Sequence, residues 1–118
     1  MSAGEGEWTV RLAGAAEADF EAVIAWTLQQ FGGNQAAIYA ETLSSAVQAL
    51  IAGPEQLGVK ARPEIGKGLF TLHVARNGRK GRHFVLFRAG ADPVRRQVDI
   101  LRVLHDSMDL ARHVPKEE

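Results

Sequence analysis

Four histidines are the residues best suited to proton transfer in this 118-residue chain: His73, His83, His105 and His113. Imidazole titrates close to neutral pH and is also a common metal ligand. His73 and His83 flank a turn, so we expect them close together on adjacent strands, but a metal site needs a third ligand and the chain has no His-Glu-x-x-His motif. We therefore predict no metal site, and two histidines that fill a face of a sheet.

Covalent and phosphate chemistry find little support in the sequence. The chain has no Cys, which excludes a thiolate nucleophile and a Cys-ligated metal. No serine lies in a Gly-x-Ser-x-Gly motif, so a serine hydrolase is not indicated. Gly66-Lys67-Gly68 lacks the spacing of a phosphate-binding loop. We expect no cofactor.

Arginines on successive predicted strands form the most informative pattern. Arg76 ends one strand, Arg82 and Arg88 bracket the next, and Arg102 lies in a third. An antiparallel sheet would bring several of them into one region, and guanidinium groups bind carboxylate or phosphate in a bidentate manner. Protection of exposed strand faces is the alternative explanation.

The charges are unevenly distributed, although 14 basic and 14 acidic side chains cancel overall. Residues 1–58 contain seven acids and one base, whereas residues 59–118 contain thirteen bases and seven acids. This asymmetry predicts a surface for an anionic partner, either nucleic acid or an acidic peptide; chance clustering on a solvated surface is the alternative. Apolar runs are far shorter than the ~20 residues of a membrane span, and the first residues lack signal-peptide features, so we expect a cytoplasmic protein.

Apolar periodicity predicts one α+β domain over residues 7–113, with a flexible tail at 1–6 and a second tail at 114–118. The expected order is β-α-α-β-β-β, with a two-helix antiparallel hairpin packed on a mostly antiparallel sheet. The predicted elements are strands at 7–12, 69–75, 82–88 and 98–105, helices at 15–31 and 34–51, and a short helical turn at 106–113. Residues 55–68 are expected to form an ordered loop, and Asn77-Gly78 the turn of a hairpin.

Two further expectations concern the helices. Gly32-Gly33 should end the first helix, and Asn34 should cap the second through its side-chain oxygen. Helical spacing predicts that six apolar residues face the sheet: Phe20, Ile24, Leu28, Leu43, Val47 and Leu50.

Residues 98–110 resemble the C-terminal signature of RelE/ParE-superfamily toxins, a strand of the form I-x-R-V-x-H followed by a small residue and an acid. Residues 15–27 resemble the first helix of that superfamily, residues 66–74 its G-x-G-L-R-x-L entry into the sheet, and residues 82–88 its next strand. The resemblance extends from about residue 8 to residue 112. It implies a two-helix hairpin on an antiparallel sheet, in a bacterial toxin that an antitoxin encoded beside it holds inactive.

The resemblance leaves the target open. ParE-like members inhibit DNA gyrase, block replication and need no catalysis, whereas RelE-like members cleave mRNA on the ribosome. The only Tyr is Tyr39, on a predicted helix, so the C-terminal Tyr of many RelE-like ribonucleases is missing. We favour a ParE-like gyrase inhibitor that arrests growth in a stress response and is not an enzyme. In the ribonuclease alternative, Arg62, Arg76 and Arg88 would hold a phosphate and His105 would donate a proton. A third alternative is an inactive partner, retained for autoregulation with its antitoxin.

The resemblance also implies partners. A ParD-like antitoxin would wrap an acidic and apolar segment around the toxin, and their hetero-oligomer would bind operator DNA. We expect antitoxin carboxylates to pair with the sheet arginines: Arg76, Arg82, Arg88 and Arg102.

Overall fold

The computed structural model describes residues 7–90 and 94–107 and confirms the predicted α+β class. Its elements are strands β1 (Thr9–Leu12), β2 (Lys60–Ala61), β3 (Leu69–His73), β4 (His83–Ala89) and β5 (Gln97–His105), helices α1 (Gly14–Phe31) and α2 (Gly33–Ala49), and a 3₁₀ turn at Leu50–Ala52. The two predicted tails, and most of the helical turn predicted at 106–113, lie outside the described residues. Neither helix in the described part is long and apolar enough to cross a bilayer.

The five strands form one mixed sheet in the order β1-β5-β4-β3-β2. The pairing of β1 with β5 is parallel. Parallel strands need a long connection, and here both helices and the other three strands lie between β1 and β5 in the chain. The other three pairs are antiparallel. The prediction misses β2, since its two residues are both exposed at the sheet edge and show no alternation of apolar and polar side chains.

A single residue, Gly32, links the two helices. Its φ of 89° lies in the region that favours glycine. Its N–H donates to the Leu28 carbonyl at 3.0 Å, and its carbonyl accepts the Ala36 N–H at 3.1 Å. Because the chain reverses within this one residue, α2 begins at Gly33 and Asn34 lies inside its first turn. The prediction that Asn34 caps α2 is therefore wrong: no side chain caps this helix.

The core lies between one face of the sheet and the helical hairpin. Leu43 and Leu50 are completely buried there, as predicted, together with Phe87 and Ile100 of the sheet. The other predicted residues that pack against this core keep part of their surface exposed: Phe20, Ile24 and Val47.

One predicted core residue, Leu28, points to solvent and is 53% exposed. Thr27 takes the inward position of that helical turn and is only 7% exposed. Its hydroxyl donates to the Val23 carbonyl at 2.8 Å, which satisfies the buried polar group. The prediction that Leu28 belongs to the core is therefore wrong, because Thr27, and not Leu28, is the residue of this helical turn that faces the core.

An ion pair attaches α1 to the edge of β5. β1 ends at Leu12, opposite Ile100, so it does not cover the second half of β5. Asp19 of α1 lies there instead: its Oδ2 accepts the Val103 N–H at 2.9 Å, and its carboxylate accepts from Arg102 Nε at 2.7 Å and from Arg102 Nη2 at 3.0 Å. The hydrogen bond with Asp19 raises the pKa of Arg102. Arg102 therefore stabilises the packing of α1 on the sheet.

Candidate interaction groove

A groove of about 1350 Å³ lies between the helical hairpin and the turn that joins β3 to β4. We call it the hairpin groove. Its walls are α1 and α2 on one side and residues 78–82 on the other. His83, His105 and Ser107 complete it where β4 begins and β5 ends, and we call this part the polar end.

The helical wall of the hairpin groove is apolar and exposed. Trp26, Phe31 and Ile38 are 56%, 62% and 52% exposed, respectively. The rings of Trp26 and Phe31 meet edge to face, with centroids 5.8 Å apart. Clustered large apolar side chains at a surface are typical of an interaction site. The sequence prediction missed this wall, because it considered only the six apolar residues expected to face the sheet. The signal that could have found it is Trp26 and Ile38, two bulky apolar residues outside that set.

The opposite wall is basic. Asn77 and Gly78 form the predicted turn, with positive φ angles of 54° and 79°. Arg79, Lys80 and Arg82 follow and line the groove. The hairpin groove therefore joins an apolar wall to a cationic one.

Gly81 lets the basic turn pack closely against α2. A Cβ at this position would lie 2.5 Å from Val74 Cγ2 and 3.0 Å from the Tyr39 hydroxyl. Those contacts are too short for a larger residue to fit without moving its neighbours. Glycine at this position therefore brings the turn within hydrogen-bonding distance of Tyr39.

Hydrogen bonds join Tyr39, Arg82 and His83 at the polar end. The Arg82 backbone N–H donates to the Tyr39 hydroxyl at 3.0 Å, and that hydroxyl lies 2.6 Å from His83 Nδ1. The tautomer of His83 decides which of these two groups donates, because a hydroxyl can both donate and accept. Burial, and secondly the neighbouring His105, lower the pKa of His83 to about 4, while burial raises the pKa of Tyr39. Both side chains are thus neutral at pH 7.

His105 lies beside His83, with ring centroids 5.2 Å apart in an edge-to-face arrangement. Its Nδ1 accepts the Ser107 backbone N–H at 3.1 Å and the Ser107 hydroxyl at 2.7 Å. A backbone N–H can only donate, so neutral His105 carries its proton on Nε2. The turn after β5 therefore fixes the tautomer of this ring.

His73 lies on the other face of the sheet, although its strand is next to that of His83. It pairs with Phe84, and the two rings meet edge to face at 4.9 Å. Its Nε2 lies 3.0 Å from Asp106 Oδ2, and Arg82 Nε donates to both Asp106 oxygens at 3.2 and 3.3 Å. The hydrogen bonds from His73 and then from Arg82 lower the pKa of Asp106. We call His73, Arg82 and Asp106 the outer cluster.

The prediction that His73 and His83 fill one face of the sheet is wrong: their strands are neighbours, but their side chains point to opposite faces, because His73 pairs with Phe84 and successive residues of a strand alternate. Among the residues that the structure describes, no three His, Asp or Glu side chains could hold a metal ion together.

Two residues of the ribonuclease alternative lie at opposite ends of β4. His105 pairs with His83 at its first residue, whereas Arg88 pairs with Asp99 near its last. Five residues of strand separate His83 from Arg88, which is about 17 Å. Arg88 and His105 therefore do not meet at one phosphate.

The other two residues of that alternative are also dispersed. Arg62 lies across the outer face, where its Nε donates to Thr71 Oγ1 at 2.8 Å and its guanidinium lies 5.3 Å from the centre of the Phe84 ring. Arg76 lies in the turn after β3, and its buried Nε has no hydrogen-bond partner among the described residues. The structure does not bring these four residues together.

The four arginines predicted to meet an antitoxin are placed differently from one another. Arg82 lines the hairpin groove, and its side chain is 71% exposed. Arg102 is bound to Asp19, and its side chain is only 28% exposed. Arg76 and Arg88 lie outside the groove lining. Arg82 is therefore the one of the four that a ligand in the groove would contact.

Comparison with known proteins gives consistent results. A family model for the ParE toxin of type II toxin–antitoxin systems (parDE) matches residues 10–110. Toxin ParE1 of Caulobacter vibrioides is 30% identical over 105 residues, which cover 88% of this chain and 95% of that protein.

Solved structures share the fold. A chain from the chromosomal ParDE system of P. aeruginosa superposes with a TM-score of 0.67 at 20% identity, covering 85% of this chain and 97% of the other. A chain from the RelBE2 toxin–antitoxin complex of Mycobacterium tuberculosis gives a TM-score of 0.56 at 25% identity, with 88% and 97% covered. The hairpin on a mixed sheet is therefore an arrangement that toxin–antitoxin structures also have.

Proposed function

The chain belongs to the ParE toxin family of type II toxin–antitoxin systems, within the RelE/ParE superfamily, and we propose that it arrests growth by inhibiting DNA gyrase. The observation that carries this proposal is the family match, which extends over residues 10–110. Gyrase as target is what the ParE branch implies, and inhibition of gyrase would require the toxin to act in the cytoplasm. The proposed mechanism is binding, without catalysis by the toxin itself.

The geometry of the charged residues supports inhibition by binding over RNA cleavage. Cleavage of mRNA needs a base, an acid and a phosphate-binding cation around one phosphate. His105 lies in the hairpin groove, Arg62 lies on the outer face, and Arg88 lies about 17 Å along the strand from His83. The ribosome-dependent endonuclease remains the second candidate because of the 25% identity with the RelBE2 chain.

A direct experiment compares the two targets. The purified toxin is incubated with DNA gyrase, ATP and supercoiled plasmid, and trapped cleavage is measured as linear DNA after protein denaturation. In parallel, mRNA from cells expressing the toxin is mapped by primer extension. We expect linear plasmid DNA and SOS induction, with no codon-phased mRNA cuts. Codon-phased cuts without gyrase trapping would contradict the proposal in favour of the endonuclease, and the lack of growth arrest would favour an inactive partner.

We further propose that a ParD-like antitoxin neutralises the toxin by occupying the hairpin groove, and that their complex binds operator DNA. An amphipathic acidic segment would place apolar side chains on Trp26, Phe31 and Ile38 and carboxylates beside Arg79, Lys80 and Arg82. Charge complementarity and clustered exposed aromatic residues support this placement. Of the sheet arginines, Arg82 would make the principal contact, with smaller contributions from Arg76, Arg88 and Arg102.

A further inference from the structure

We propose that the polar end of the hairpin groove is a carboxylate-binding subsite, in which His83, His105 and Arg82 bind an acidic side chain of the antitoxin with uptake of a proton. This inference rests on the proposed function, because it names the chemistry by which the groove recognises its partner. Its consequence is that the affinity for the antitoxin depends on pH.

Both imidazoles present the same kind of atom for a ligand. The Nδ1 atom of His105 accepts from the Ser107 backbone, so the neutral ring carries its proton on Nε2. The Nδ1 atom of His83 is hydrogen-bonded to the Tyr39 hydroxyl, which leaves Nε2 as the ring nitrogen for a ligand, and this Nε2 donates whenever His83 is protonated. Neither Nε2 has a hydrogen-bond partner among the described residues, and neither is a buried unsatisfied atom, so both Nε2 atoms are accessible to a ligand.

Arg82 adds a permanent positive charge to these donors. Its Nε donates to Asp106, which leaves its two Nη groups available for another acceptor. Its side chain is 71% exposed and extends towards the outer cluster at the edge of the groove, and Arg82 is among the residues that line the groove together with both histidines. The nearest carboxylate, Asp106, already accepts from His73 and Arg82, and its Oδ1 lies 3.7 Å from His105 Nδ1, the ring nitrogen that accepts from Ser107. The subsite therefore offers N–H donors and positive charge, and the complementary ligand is an anion.

The walls of the groove indicate which anion it is. Trp26, Phe31 and Ile38 form an apolar surface next to the subsite, and Trp26 and Phe31 already contact each other edge to face. A polypeptide can place apolar side chains on such a wall and a carboxylate at its end. We therefore assign the ligand as an Asp or Glu side chain of an amphipathic segment, and nucleic acid becomes an outcome of the test.

The groups around His83 explain why a ligand would change its protonation. Tyr39 of α2 and Arg82 contact it directly, and His105 and Asp106 at the end of β5, His73 of β3 and Asp19 of α1 act on it through their charges. Burial and His105 disfavour its charged form, and the pKa of about 4 keeps it neutral in the free toxin. A bound carboxylate adds negative charge beside the ring and favours the charged form. If the pKa of His83 returns to its ordinary 6.5, affinity at pH 5.5 is about tenfold higher than at pH 7.5.

The test uses the full-length toxin and the antitoxin encoded by the adjacent reading frame, purified separately. Isothermal titration at pH 5.5, 6.5 and 7.5, in buffers of different ionisation enthalpy, measures affinity and the number of protons taken up. We expect proton uptake at pH 5.5 and an affinity up to about tenfold higher there. His83→Asn should abolish both effects, because the Asn side chain can still form a hydrogen bond with the Tyr39 hydroxyl but cannot be protonated. His73→Asn is the matched control, since His73 lies on the outer face, and should keep both effects.

A pH titration of the histidine NMR signals of the wild-type toxin, free and bound to the antitoxin, tests the same subsite without a variant. We expect the pKa of His83 to rise by more than one unit when the antitoxin binds. Tight binding without proton uptake, or an unchanged His83 pKa in the complex, would overturn the subsite and leave the proposed function standing. Lack of antitoxin binding at every pH would overturn both. Preference of the groove for a single-stranded oligonucleotide over the antitoxin, in competition, would also overturn the assignment.

Discussion

The outer cluster and the polar end of the hairpin groove contain the same types of charged and titratable residues, but these residues are arranged differently. In the outer cluster, Asp106 lies between His73 and Arg82, so the Asp106 carboxylate accepts hydrogen bonds from both and neutralises the charge of Arg82. At the polar end, His83 and His105 lie beside each other; Asp106 Oδ1 is 3.7 Å from His105 Nδ1, but neither Nε2 atom has a hydrogen-bond partner among the described residues. The first arrangement lowers the pKa of the Asp106 carboxyl, whereas burial, and secondly the neighbouring His105, lower the pKa of the His83 imidazole.

This difference separates a structural role from a binding role. A cluster that neutralises its own charges gains little from a ligand, because the ligand would have to displace existing partners. A cluster of donors without an internal acceptor gains hydrogen bonds when an anion arrives. Sequence composition alone does not reveal which cluster is which, since His, Arg and Asp occur within a few positions of each other at both.

The largest expected effect concerns the helix that holds Tyr39 against His83. Leu43→Ala removes a fully buried side chain one turn after Tyr39, and we expect a loss of about 2–5 kcal/mol in the free energy of unfolding. Urea denaturation at pH 7 measures it. Leu28→Ala is the matched control, because Leu28 is 53% exposed, and should cost less than about 1 kcal/mol. Equal losses for the two variants would show that the inward face of the hairpin is wrongly assigned.

The second largest effect tests whether the hairpin groove is the surface that binds the antitoxin. Trp26→Ala should weaken antitoxin binding by about 2 kcal/mol or more, as expected for an aromatic residue at the centre of an interface. Leu57→Ala controls for loss of an exposed apolar residue, since Leu57 is 94% exposed and lies outside the groove lining. Surface plasmon resonance with immobilised antitoxin measures both. If Trp26→Ala binds like the wild type, the antitoxin occupies another surface.

The two clusters should lose their contribution to stability in different pH ranges. The folded pKa of His83 is lowered from 6.5 to about 4, so the unfolded chain binds a proton first and stability falls as pH drops from 6.5 towards 4. The folded pKa of Asp106 is below its ordinary 3.8, so its contribution is present above that value and is lost at lower pH. Urea midpoints between pH 3 and pH 8 measure both slopes. His83→Asn should flatten the upper range, and Asp106→Asn the lower one; exchange of these effects would refute the assignment.

The smallest effect concerns the arginine shared by both clusters. Arg82→Ala should reduce antitoxin affinity by about 0.5–1 kcal/mol, mainly through slower association at low salt, because its side chain is largely exposed. Arg88→Ala should have a smaller effect, since Arg88 lies outside the groove lining. Association rates at two ionic strengths separate the two variants. A larger loss for Arg88→Ala would place the antitoxin on the other face of the sheet.

Local patterns in the sequence predicted the helices and the longer strands, because each shows its own period of apolar residues. The same reasoning missed β2, whose two exposed residues carry no such period. It also misplaced Leu28, because the rotation of α1 turns Thr27 inward instead, and Asn34, because Gly32 alone links the helices and α2 begins before Asn34. The polar end depends on the contact of Tyr39 with His83, and the packing of α1 on β5 depends on that of Asp19 with Arg102; both pairs are far apart in sequence. Only the tertiary packing of α1 and α2 on the sheet brings these pairs together.

The parallel pairing of β1 with β5 has a consequence in time. Thr9 lies opposite Gln97, so nearly ninety further residues must be synthesised after β1 before its partner strand exists. At about 5–20 residues per second, this delay lasts roughly 4–18 seconds. His105 and the edge that Asp19 covers arrive with the same strand, so the polar end is incomplete during that interval. A nascent chain therefore cannot present its finished binding surface while β5 is still being translated.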